Sequence, residues 1–149
     1  MKKSYILLAA AMLGSSVAAT AAPLERIGEP VLNGKRLPFS GAVRVGDVLF
    51  LSGQIGIRAD NSLPKEFDAQ VRQAMDNVAG VLKQASVGWG DVAKCTVMLD
   101  DMANWPAFNA LYVGYFPDGR YPARSAFGAD GLALDAAVEI ECVARAPAK

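Results

Sequence analysis

Histidine is absent from all 149 residues, so any chemistry rests on arginine, lysine, carboxylates, hydroxyls and backbone groups. This removes Ser-His-Asp and Cys-His nucleophile schemes, histidine acid–base catalysis and histidine-containing zinc or iron sites. Two cysteines, Cys95 and Cys142, cannot build a metal centre alone. No GxGxxG and no P-loop offers a nucleotide a phosphate cradle. Among the groups that remain are Arg124, in Pro122-Ala123-Arg124-Ser125, and Glu139, in the last apolar–polar alternation. A planar guanidinium holds a carboxylate through two parallel charge-assisted hydrogen bonds, and a glutamate orients a water and carries a proton. Taken alone, both fit plainer roles: a surface ion-pair arginine and a solvated strand glutamate like Glu141.

The elements that must position these side chains follow from periodicity. Residues 22–40 mix Pro, Gly and charge without a clean period and read as an extended arm. Val43 and Val45 alternate before Gly46-Asp47, and Val48 and Phe50 after it, which predicts a hairpin over 42–54. Ser62 is a candidate cap for a helix over 65–85, in which Phe67, Val71, Met75, Val78 and Leu82 recur at helical spacing and Gly88 lies past the end. Residues 92–99 predict a third strand. Trp105, Phe108, Leu111, Tyr112 and Tyr115 predict a second helix, and 121–127 and 136–144 the last strands. The order ββαβαββ is an α+β fold with two helices on one sheet face. The other face, with Met98, Glu139 and Glu141, either stays solvated or is covered by another subunit.

Residues 1–21 carry Lys2 and Lys3, an apolar run over 6–13 and small residues ending Ala19-Thr20-Ala21, the three-part layout of a secretory signal peptide. Cleavage after Ala21 is expected, leaving 22–149 as one periplasmic or secreted domain with no membrane attachment. Without Lys2 and Lys3, 13 of the 15 basic residues remain against 15 acidic ones, a net charge of −2 that does not suggest a nucleic-acid surface.

Four segments in this order, 39–54 (FSGAVRVGDVLFLSGQ), 91–101 (DVAKCTVMLDD), 108–116 (FNALYVGYF) and 121–141 (YPARSAFGADGLALDAAVEIE), resemble the Rid (YjgF) family. The resemblance implies a chorismate-mutase-like fold, a homotrimer whose sheets line a central barrel, and a ligand cleft at each subunit interface. It also implies deamination of enamine or imine acids such as 2-aminoacrylate to 2-keto acids and ammonia, without cofactor or metal. Arg124 then matches the arginine that grips the substrate carboxylate and Glu139 the water-positioning glutamate. Ser52 and Gly53 match backbone that contacts the ligand. Asn109 and Tyr112 match a helix pattern that core packing explains equally, so they are not counted as catalytic. Phe39 and Ala126 line the cleft where the best-studied branch has a tyrosine and a cysteine, which implies an altered substrate preference. A non-catalytic trimer that binds small carboxylates, or a chaperone-like protein, is the alternative.

The sheet order implied by the resemblance sets the final strand beside the third, with Cys95 and Cys142 both on the helix-facing side. They form a cross-strand disulfide if their positions are opposed, and are otherwise two buried free thiols.

Overall fold

The computed structural model describes residues 23–146. The signal-peptide assignment falls on residues outside that span.

Among the described residues, nine strands and two α-helices follow in chain order. The first three are β1 (Leu24–Ile27), β2 (Val31–Leu32) and β3 (Lys35–Arg36), then β4 (Ala42–Val45), β5 (Val48–Leu51) and β6 (Gln54–Ile55). The helix α1 (Phe67–Gln84) leads to β7 (Val92–Leu99), and α2 (Trp105–Tyr112) to β8 (Ala123–Gly128) and β9 (Val138–Arg145). The main sheet runs β1-β4-β5-β9-β7-β8, with β6 continuing alongside β9. β8 lies parallel to β7, reached by the α2 crossover, while β9 is antiparallel to both β5 and β7. The sheet is therefore mixed, with both helices on one face.

Alternation decides which residues enter the core. On β9, Val138, Ile140, Cys142 and Ala144 are buried while Glu139, Glu141, Val143 and Arg145 point to the other face. β7 repeats the pattern with Val97 and Leu99 inward. Against them α1 lays a stripe of Val71, Ala74, Met75, Val78, Val81 and Leu82, and α2 contributes Phe108. Fully burying a Val, Leu or Met side chain stabilises by about 1.5–3 kcal/mol, so this two-layer seam supplies most of the driving force.

The arm is more ordered than its sequence indicates. β1 pairs with β4, and β2 and β3 form a small hairpin about Asn33-Gly34, both at positive φ (50° and 73°). Two-residue strands carry too little alternation to register as a period, although Asn-Gly is itself a hairpin-turn signal. Ser62 does not cap α1. Its N–H donates to Asp60 Oδ1 (2.9 Å) in a separate turn, and the helix opens at Phe67 behind Glu66. At the other end the left-handed residue is Ser86 (φ 61°), before Gly88 is reached. The N–H of Val87 then returns to Leu82 C=O (3.0 Å), a Schellman-type closure that lets Val87 pack on the core.

Gln70 locks α1 to the sheet. Its amide is buried, with Nε2 donating to Pro64 C=O and Oε1 accepting from Ala137 N–H, both at 2.8 Å. Gly56 permits the contact, since a Cβ there would lie 2.5 Å from the Gln70 carbonyl oxygen. Gln70→Leu orphans the half-buried Ala137 N–H and the buried Pro64 carbonyl, and is expected to lower unfolding free energy by about 3 kcal/mol. In urea the midpoint falls at unchanged slope.

Candidate functional site

Glu139 stands on β9 opposite Met98 of β7 and Ile55 of β6, on the face turned away from the helices. Its carboxylate is half-buried. Burial, and then the like charge of Glu141 two residues along the same face, hold it above the ordinary glutamate range. Asn77 of α1 fixes the neighbouring chain by donating Nδ2 to the carbonyls of Ile55 and Ile57 (both 2.9 Å).

Gly53 leaves room for this carboxylate: a Cβ there would come 1.8 Å from Glu139 Oε1 and 2.8 Å from Cδ. Ser52 is a brace, with its hydroxyl donating to Ser40 C=O (2.7 Å) and its N–H to Gly41 C=O (3.0 Å). Gln54 Nε2 in turn donates to the carbonyls of Ser52 and Gly53, at 3.0 and 3.1 Å. Gly53→Ala therefore displaces Glu139 without touching the core. For any chemistry that Glu139 carries, the rate is expected to fall by about 10²-fold with the melting temperature nearly unchanged, read from steady-state rates and thermal unfolding.

Arg124 lies on β8, paired with Cys95 of β7, and so on the helix-facing side. Its Nη2 donates to Asn109 Oδ1 (2.7 Å). The guanidinium carbon is 4.5 Å from the Tyr112 ring centre, 4.6 Å from Trp105 and 5.7 Å from Phe108. Three rings and one amide thus fix the charge, while most of its five N–H groups remain available to a ligand. A cavity of about 250 Å³ opens beside it between Asn109, Tyr112, Val113, Tyr121, Pro122 and Arg124. Tyr112 stays a neutral phenol, since burial pushes it up to about 12 against the opposing charge of Arg124.

Asn109 and Tyr112, which match a helix pattern of the family but are set aside in the sequence as explicable by core packing, thus both touch Arg124. Trp105, Phe108, Asn109 and Tyr112 are spaced i, i+3, i+4, i+7 and share one face of α2. Ala126, two positions after Arg124 on the same face, is half-buried against the core, and Phe39 is exposed beside Ser40.

The structure brings Ser52, Gly53 and Glu139 together, and separately Arg124 with α2. It does not bring the two groups together within one chain. Arg124 aligns with Cys142 and Glu139 with Phe127, so Arg124 and Glu139 are three residues and two strands apart, roughly 14 Å in the sheet plane. They also point to opposite faces.

Residues 34–146 match the family described as Endoribonuclease L-PSP. The chain belongs to this family, the Rid family. A Rid relative from Escherichia coli K12, 2-iminobutanoate/2-iminopropanoate deaminase, is 33% identical over 110 residues, 72% of this chain and 86% of its own. Reactive Intermediate Deaminase A of Arabidopsis thaliana chloroplasts is 34% identical over 109 residues, 72% of this chain and 58% of its own. A RutC family protein of Synechocystis is 36% identical over 113 residues, 74% of this chain and 87% of its own. Among solved structures, the E. coli YjgF gene product superposes with a TM-score of 0.74 at 31% identity, covering 81% of this chain and 98% of its own. RidA from Psychrobacter gives 0.73 at 30%, covering 81% and 98%. These Rid proteins share the two-helix, mixed-sheet fold.

Proposed function

We propose that the chain hydrolyses 2-imino acids, and the enamines that tautomerise to them, to 2-oxo acids and ammonia in a homotrimer. The observation that carries this reading is the division of the site, with a carboxylate-gripping half around Arg124 and a water-positioning half around Glu139 on surfaces one chain cannot bring together. A cyclic assembly apposes such halves across each interface. The face that bears Glu139 also exposes Val45, Val48, Phe50 and Phe127, an apolar patch of the kind a neighbouring subunit covers. Relatives named as iminobutanoate deaminases favour the same chemistry.

In this mechanism the Arg124 fork takes the substrate carboxylate, with Asn109 and the rings of α2 setting its orientation. Glu139 accepts a hydrogen bond from the attacking water, whose oxygen adds to the imine carbon to give a carbinolamine. The water's proton passes through Glu139 to the nitrogen. Glu139 then takes the carbinolamine hydroxyl proton and gives it to the nitrogen as the C–N bond breaks, so ammonia leaves and the carbon keeps the water oxygen as a carbonyl. Imine plus water gives oxo acid plus ammonia with no change of redox state.

The test is ammonia or oxo-acid release from imines generated in situ by an amino-acid oxidase. Acceleration over the uncatalysed rate is expected, with kcat/KM reduced about 10²-fold or more in Arg124→Ala and not rescued by Arg124→Lys, which cannot form the fork. A folded trimer that binds 2-oxobutanoate but accelerates no imino acid would leave a carboxylate-binding protein instead. Export to an oxidising compartment is part of the proposal, on the layout of residues 1–21 and the cysteine pair of the central sheet.

A further inference from the structure

Phe39 borders a second cavity of about 570 Å³, lined by Arg26, Arg36, Leu37, Pro38, Phe39 and Ser40. Alternation along β1 turns Glu25 inward to Arg44 (3.2 Å) and Arg26 outward, opposite Val43 and on the face that bears Glu139. Among the described residues Arg26 makes no ion pair. Arg36 comes from the β2–β3 hairpin and is held by Glu29 (3.0 Å) from outside the cavity. The lining therefore presents two guanidiniums and no carboxylate. It also adjoins the water-positioning half: Ser40, in its wall, accepts the Ser52 hydroxyl at 2.7 Å, and Ser52 leads directly into Gly53 under Glu139.

We propose that Arg26 and Arg36 form an anion subsite at the far end of the cleft, and that the preferred substrate is a 2-imino acid with a second carboxylate on its side chain. This rests on the imino-acid reading of the cleft. With one carboxylate on Arg124 and the imine carbon at Glu139, the side chain runs along the Phe39 ring toward the two arginines. A neutral aliphatic end would leave Arg26 without a partner and Arg36 with Glu29 alone, while a carboxylate takes charge-assisted hydrogen bonds from both guanidiniums. Arg26 lies outside the segment that matches the family and Arg36 on a hairpin at its border, so the subsite belongs to this chain's own arm.

Calorimetric titration with 2-oxoglutarate and 2-oxobutanoate, product-like acids with and without the second carboxylate, tests the subsite without requiring turnover. The wild-type protein is expected to bind 2-oxoglutarate at least about tenfold more tightly, and Arg26→Gln/Arg36→Gln to lose that preference. Arg26→Gln alone, an exposed change on an edge strand, carries the same comparison if the double variant does not fold. Equal wild-type affinities, binding of neither acid, or a preference that survives both substitutions overturns the subsite. So does loss of trimer in sedimentation on substituting the arginines, which would make them interface residues. Turnover of 2-iminobutanoate is scored separately. A protein that turns it over without preferring 2-oxoglutarate keeps the deaminase and loses the subsite, and one with the preference but no turnover does the reverse.

Discussion

Glu139→Gln is expected to cut deaminase turnover by about 10²–10⁴-fold and, at neutral pH, to raise the melting temperature of the ligand-free protein. The loss follows from the mechanism, since an amide neither accepts the water's proton nor returns it to nitrogen. The gain follows from electrostatics. Burial and the nearby Glu141 raise the Glu139 pKa above its unfolded value. A folded-state pKa above the unfolded one favours folding in acid and loses that contribution as pH climbs through the folded value. At neutral pH the ionised carboxylate is therefore a net cost that glutamine removes. Activity has the opposite dependence, falling as pH drops through the raised pKa and the base becomes protonated. A rate profile whose acid limb lies above the range of ordinary glutamates, together with a more stable but inactive Glu139→Gln, separates a working base from a solvated strand residue. Loss of both activity and stability would mark Glu139 as a structural group instead.

The same variant tests how the site is divided. In a trimer whose clefts take Arg124 from one subunit and Glu139 from the next, Arg124→Ala and Glu139→Gln chains each contribute one intact half. Co-assembled in equal amounts, they are expected to recover about a quarter of wild-type activity, the statistical share of interfaces that join two intact halves. Mixing without subunit exchange gives no recovery. No recovery after co-assembly would contradict a shared cleft.

The sequence exposes some of this arrangement and hides the rest for identifiable reasons. The α1 stripe and the β9 alternation are legible because each apolar residue marks its own face, so the face of Glu139 can be read from Val138 and Ile140. Arg124 has no such markers. Its face of β8 carries Arg124, Ala126 and Gly128, the other Ala123, Ser125 and Phe127, and neither is an apolar stripe. Only pairing with Cys95 fixes the direction of Arg124, and pairing is a long-range property. Asn109 matches the family's helix pattern but cannot be told from a packing residue, for a related reason. An amide among aromatic residues is uninformative until the strand that crosses beneath it supplies a guanidinium. The arm escaped because its pairs are too short to have a period, and there this chain places the two arginines that set its cleft apart.

Replacing Cys95 and Cys142 by alanine is expected to lower unfolding free energy by about 4 kcal/mol, the chain-entropy value for a bond closing a loop of this size. The two residues are direct partners in the β7–β9 ladder, with Cα atoms 4.1 Å apart and their sulfurs joined, 47 positions apart in sequence. The loop between them contains α2 and β8, hence Arg124 and its aromatic surroundings, so the bond removes unfolded-state freedom from the carboxylate-gripping half. Both cysteines are fully buried, so a thiol reductant acts on the native protein only through unfolding. Denaturant melts with and without reductant are expected to differ by about the same 4 kcal/mol in the wild-type protein and to coincide in the double alanine variant. The result also bears on export. Chain produced with residues 1–21 in a bacterial host is expected to yield no titratable thiol after denaturation, and chain produced without them in the reducing cytoplasm to yield two and to melt lower. Equal thiol counts and equal melts from both preparations would separate the cysteine pair from the compartment and remove it as support for an exported enzyme.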